Sequence, residues 1–170
     1  MQALKRIYSL MLVVLMLALF IYLFYRTDKT VVNGLFSNLF SLRNYLAWKQ
    51  SIRDNLPLSN WMIYSLPEAL WVFAVSLASK FLFIKVGRWR LDLFYCPLLF
   101  SIGLELLQLF GLTPGRFDAL DIILSLLAWL VARYLLHNKG IYSNIFQPIT
   151  TRSVICIISY ALVYLAHVWK

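Results

Sequence analysis

Between Ile102 and Ala132 two strongly apolar runs are joined by a break at Thr113-Pro-Gly115, and polar side chains sit inside both of them. Glu105 and Gln108 precede the break, Asp118 and Asp121 follow it, and Arg116 lies in the turn itself. An ionisable group within an apolar helix is costly unless it faces the interior of a bundle and finds a partner there. The stretch therefore demands two antiparallel helices that turn their acids inwards.

The rest of the chain repeats the apolar theme. Of 170 residues, 62% are hydrophobic and 14% charged, more apolar surface than a soluble domain of this length needs. Several runs approach the ~18–20 residues that span a bilayer. The expected fold is all-α, a polytopic transmembrane helix bundle of four to five spans plus an interfacial amphipathic helix, with residues 1–170 forming a single integral membrane domain. The net charge of +9 sits in clusters between apolar runs, which points to membrane orientation and anionic lipid and away from nucleic acid. Cys96 and Cys156 lie inside apolar runs without zinc-ligand spacing and read as small buried thiols.

Span one is Ile7–Tyr25, preceded by Lys5 and Arg6. It is longer than a signal h-region and ends without a small-residue cleavage site, so it reads as a retained anchor. In the polar region that follows, Leu35, Leu39, Leu42 and Leu46 recur at helical spacing, with Phe36 and Phe40 on the same face and Asn38, Arg43 and Lys49 as polar positions. This reads as a helix on the interface or packed on the bundle. Span two runs from Leu66 to about Ile84, with Ser65 and Glu68 spaced as a capping box and Pro67 in the first turn. Lys80, Lys85, Arg88 and Arg90 make its far end a basic turn. Spans three (Leu93–Leu112), four (Asp118 to about Leu136) and five (Ser153–Trp169) complete the set, with His137 and His167 near span ends. With five spans, nine Lys and Arg fall on the side of the N-terminus and seven on the other, which puts the N-terminus in the cytoplasm.

That topology sends Glu68, Glu105, Gln108, Arg116, Asp118 and Asp121 to one outward-opening pocket. Glu105 and Gln108 share a helix face at i and i+3, as do Asp118 and Asp121. Four of the chain's seven acids are in this group. Carboxylates crowded in a low dielectric cannot all stay ionised and unpaired, so protons, folded-in bases or a bound cation must accompany them. Local structural roles compete for some of them: Asp118 is placed to cap span four, Asp121 suits its first turn, and Arg116 suits a lipid phosphate.

Glu105-x-x-Gln108, then Arg116, then Asp118-x-x-Asp121 opening the next span, together with Leu66-Pro67-Glu68-Ala-Leu-Trp71 upstream, resembles the VanZ-like family of small polytopic bacterial membrane proteins. The resemblance covers a core of about 65–132 and departs from the family at Ser125 and Ala128, where many members carry Asn and Gly. It implies a multi-pass protein of the bacterial inner (cytoplasmic) membrane, from a family whose founding member is linked to resistance to the glycopeptide teicoplanin.

Two functions compete, ahead of a third, a proton- or ion-coupled transporter subunit, against which the lack of inverted repeats argues. The first is a non-enzymatic envelope protein whose acidic pocket binds a headgroup, an amine ligand or a partner helix, with Arg116 taking a phosphate. The second is an intramembrane enzyme acting on lipid-linked envelope precursors, with Glu105 as general acid or base and Asp118 and Asp121 holding a divalent cation. No Ser-His, Cys-His or HExxH arrangement supports protease chemistry, which favours the first.

Overall fold

The apolar stretch Ile7–Tyr25 builds most of the first helix, α1 (Gln2–Tyr25), in a computed structural model of the chain that describes residues 2–26, 31–113, 115–135 and 142–167. The further helices are α2 (Val31–Phe40), α3 (Leu42–Asn55), α4 (Asn60–Tyr64), α5 (Leu66–Ser79), α6 (Cys96–Leu109), α7 (Ala119–Leu135) and α8 (Thr151–His167). Three short strands, β1 (Leu82–Val86), β2 (Trp89–Asp92) and β3 (Ser143–Asn144), form one sheet in the order β2-β1-β3. Pro114, His137 and Lys139 lie outside the described residues.

The sheet corrects the all-α expectation, and it begins where span two was expected to continue. α5 stops at Ser79, Lys80 is extended, and Phe81 takes a positive φ of 65° that no helix accepts. Leu82–Val86 then pairs antiparallel with Trp89–Asp92, Val86 opposite Trp89. Only Gly87 and Arg88 remain for the turn, and Gly87 has φ 60°, which fits a two-residue turn with glycine first. β3 adds in parallel to β1, so the α7–α8 connection is held at the same end as the α5–α6 connection.

Around this end the helices alternate. α6 and α8 start from the sheet and α5 and α7 run down to it. α5 is the hub, packed against α1, α6, α7 and α8. Its Ala69, Ala74, Ala78, Ser76 and Ser79 are all buried, and such small residues let neighbouring helices approach closely. Leu12, Val13 and Met16 of α1, Ile123, Leu127 and Val131 of α7, and Ile157 and Ile158 of α8 face outwards instead.

Among the described residues two helices are long and apolar enough to cross a membrane: Ile7–Tyr25, and Asn60–Ser79 where α4 and α5 run on through Ser65. α7 and α8, at 17 residues, and α6, at 14, are shorter. At 1.5 Å per residue, a helix the length of α6 rises about 21 Å against a hydrocarbon core of ~30 Å.

The leucine row of the expected interfacial helix crosses a break. Ser41, with φ 62°, separates α2 from α3. Leu35, Leu39, Leu42 and Leu46 are all exposed, whereas Lys49, one of the polar positions of that helix, is only 3% exposed. α3 lies across the C-terminal end of α1 and serves its unpaired carbonyls. Lys49 Nζ donates to the Arg26 carbonyl at 2.7 Å, Arg53 Nε to that of Phe24 at 2.8 Å and Nη2 to that of Tyr25 at 3.0 Å. The Tyr45 hydroxyl donates to the Leu23 carbonyl. Cations at the negative end of a helix complement its dipole.

Candidate functional site

At the end of the bundle away from the sheet, the first turns of α5 and α7 meet the last turns of α6. Glu68 sits in the first turn of α5 and Asp121 in the first turn of α7. Glu105 stands one turn before the end of α6 and is 2% exposed. One carboxylate oxygen from each of Glu68, Glu105 and Asp121 lies within 4.8 Å of the other two. The two helix starts bring positive dipole ends to Glu68 and Asp121; Glu105, near a helix C-terminus, has no such help.

Glu105 is instead fixed by the turn. The backbone N–H of Asp118 donates to Glu105 Oε2 at 2.9 Å. The Asp118 side chain points elsewhere, with Oδ1 accepting the Leu120 N–H at 2.9 Å as the N-cap of α7. Gly115, at φ 135°, makes the tight reversal possible. A Cβ there would stand 2.8 Å from Gln108 Cδ, so the Gln108 amide packs on the turn rather than on the acids.

Buried serines complete the centre. The Ser101 hydroxyl donates to Glu68 Oε1 at 2.7 Å and lies 2.9 Å from Ser125 Oγ. A hydroxyl has one proton, so with Ser101 committed to Glu68 the Ser125 hydroxyl donates to Ser101. Ser65 does not cap α5. Its backbone is helical, it makes no capping bond, and its hydroxyl serves Asp121. The capping box expected from Ser65 and Glu68 is therefore absent, because both side chains are drawn into contacts with α6 and α7.

Among the described residues the positive charge that acts on these acids is Arg26, just past α1. Its guanidinium stacks 4.6 Å from the Tyr22 ring centre, Nη1 donates to the Tyr22 hydroxyl at 2.8 Å, and its field reaches both Glu68 and Asp121. Arg116, the expected counter-charge, is exposed, and among the described residues it makes no ion pair with these acids.

The six residues expected in one pocket thus divide. Glu68, Glu105 and Asp121 converge; Asp118 contributes its backbone; Gln108 and Arg116 belong to the turn. Ser65, Ser101, Ser125, Tyr22 and Arg26 were missed. A signal existed for two serines: Ser101 lies four residues before Glu105 and Ser125 four after Asp121, on the same helix faces.

Like charges this close repel. Two carboxylates 4.8 Å apart cost on the order of 3 kcal/mol at an effective dielectric of about 20. The donors named above offset part of that, but Asp121 Oδ1 is buried with no hydrogen-bond partner among the described residues. A cation relieves both problems. At a metal–oxygen distance of ~2.4 Å, two ligand oxygens can stand up to about 4.8 Å apart, and the longer N–H···O contacts of an ammonium fit the same spacing. No family model matches this chain, and no curated protein or solved structure matches it.

Proposed function

We propose that this chain is an integral membrane protein of the bacterial envelope, VanZ-like in kind, whose Glu68–Glu105–Asp121 centre binds a cationic group within the helix bundle. The convergence of three carboxylates from three different helices carries the reading. Helices hold such groups together against their repulsion only when other interactions outweigh it, and a bound positive charge supplies the largest of these.

The membrane setting is supported by where the apolar side chains point. In an 18-residue window of Ile7–Tyr25 only 28% is buried, against 61% in Asn60–Ser79, which supports a lipid-facing α1. Leucines, isoleucines and valines of α7 and α8 also face outwards, which supports the same reading. In this reading α6, α7 and α8 also cross, the sheet with exposed Lys85, Arg88 and Arg90 lies on the cytoplasmic side, and the acid centre opens outwards.

The test is direct. The purified full chain in detergent is titrated with Mn²⁺ and followed by electron paramagnetic resonance, with ethanolamine as competitor. One saturable site, weakened in Asp121→Asn and displaced by the amine, is expected. Mn²⁺ binding of equal strength in Asp121→Asn and wild type would sink the proposal.

One observation favours the enzymatic alternative, action on a lipid-linked envelope precursor: the unpartnered Asp121 Oδ1 is free to hold a proton or a metal. In that case Asp121, rather than the tied and buried Glu105, is the acid–base group. Turnover of such a substrate by wild type and none by Asp121→Asn is the result that would select it.

A further inference from the structure

The β1–β2 hairpin projects past the rest of the sheet, because β3 pairs only with Leu82 and Phe83. Residues directly opposite in an antiparallel pair share a face, and the face alternates along each strand. The register therefore puts Ile84, Val86, Trp89 and Leu91 on one face and Phe83, Lys85, Arg90 and Asp92 on the other. The Arg90 guanidinium, 4.2 Å from the Phe83 ring centre, bears out the second face. The first face is apolar and bare at its outer end: Trp89 is 78% exposed, and Val86 and Leu91 are each more than half exposed. The second sets Lys85 directly opposite Arg90, a like-charge pairing that costs stability in a sheet unless an anion lies between the two. Arg88, exposed in the turn, is a third cation.

The sequence keeps this end of the molecule basic. Between Glu68 and Glu105 the only acid is Asp92, and after Asp121 there is none. Asp92 is engaged locally, with Oδ1 accepting the Phe94 N–H at 3.0 Å. Cations alone on an edge strand would be explained as protection against pairing with another sheet. A bare tryptophan between an exposed valine and an exposed leucine has the opposite effect in water. A bilayer interface suits both, since Trp settles at headgroup level while Lys and Arg reach lipid phosphate.

We propose that this hairpin is an interfacial anchor whose Val86, Trp89 and Leu91 enter the acyl boundary of the adjacent leaflet while Lys85, Arg88 and Arg90 bind anionic phospholipid headgroups. The anchor rests on the membrane reading above and needs nothing from the acid centre. The apolar surface does not stop at the hairpin: Tyr95 and Leu99, one helical turn apart where α6 begins, are exposed too. Amphipathic segments enter the boundary by ~5–10 Å, so the strand backbones stay among the headgroups, where the cations find phosphate.

The full chain is reconstituted in phosphatidylcholine vesicles containing spin-labelled phosphatidylglycerol or spin-labelled phosphatidylcholine, and the fraction of each label that the protein immobilises is measured by electron paramagnetic resonance. Wild type is expected to prefer phosphatidylglycerol by roughly fivefold. Lys85→Gln, Arg88→Gln and Arg90→Gln combined bring the two lipids close to parity. An ionic strength of about 1 M, where screening acts within ~3 Å, does the same in wild type and does not depend on a variant folding. The emission lost in Trp89→Phe is expected to be quenched by lipid brominated high on its acyl chains and not by aqueous iodide. Equal immobilisation of both labels by wild type that floats with the vesicles overturns the headgroup site and spares the membrane reading. An undiminished preference in the triple variant overturns it as well, by moving the site off the hairpin. Trp89 emission quenched by iodide alone overturns the anchor and leaves its apolar face to a partner protein. A chain that does not float with the vesicles overturns the membrane reading along with the anchor.

Discussion

The C-terminal end of α1 and the acid centre stand close together yet handle polar groups in opposite ways. At the end of α1, opposite signs meet. Carbonyls that the helix leaves open receive Lys49, Arg53 and the Tyr45 hydroxyl, each with a defined partner. At the acid centre like signs gather, and after Ser65, Ser101 and the Asp118 N–H have been used, Asp121 Oδ1 still lacks a hydrogen-bond partner among the described residues. The first arrangement is complete as built, so its value is stability. The second leaves one oxygen without a partner, and that is the position the proposed cation would fill.

Substitutions can separate the two. The largest effect is expected from Glu105→Gln combined with Asp121→Asn. Loss of an outer-shell partner alone costs 10–100-fold in metal affinity, so losing two ligands is expected to weaken Mn²⁺ by more than about 100-fold. Lys49→Met should do the reverse. Leaving the Arg26 carbonyl short of its donor is expected to lower stability by about 1–3 kcal/mol, read as an earlier thermal transition in detergent, with Mn²⁺ affinity unchanged. A large loss of affinity in Lys49→Met would mean that the two regions are one unit.

Ser101→Ala sharpens the contrast from within the centre. It removes the donor to Glu68 and strands Ser125, and an affinity loss of about tenfold is expected in the same titration. Asp118→Ala deletes only the cap of α7. It is expected to cost about 1 kcal/mol in thermal or denaturant unfolding and to leave affinity within about twofold, because the N–H that holds Glu105 belongs to the backbone. Arg116→Gln is the smallest change, with less than about twofold expected on Mn²⁺ affinity, since exposed charges contribute little. A tenfold effect there would restore Arg116 to the centre.

Much of this was legible in the sequence for a physical reason. Glu105 and Asp121 are acids in apolar helices flanking a short turn, and solvation alone requires them to face inwards and towards each other. The hairpin was not legible, because Phe81–Ile84 continues the apolar run of α5 and a short apolar run does not distinguish helix from strand. The deciding residue is Phe81, whose positive φ no side-chain pattern announces. Arg116 was overvalued because it is near the acids in sequence. Arg26 was overlooked because it is distant in sequence and is brought to them by the packing of α1 on α5.

Gly87 and Arg88, at the tip of the hairpin, are exposed and lie at the opposite end of α5 from Glu68. Such a tip is where a chain best accepts inserted sequence. An epitope placed between them would give the molecule a handle far from the acid centre. Antibody access in sealed vesicles, from one side or the other, would then read out which compartment each end of the bundle addresses.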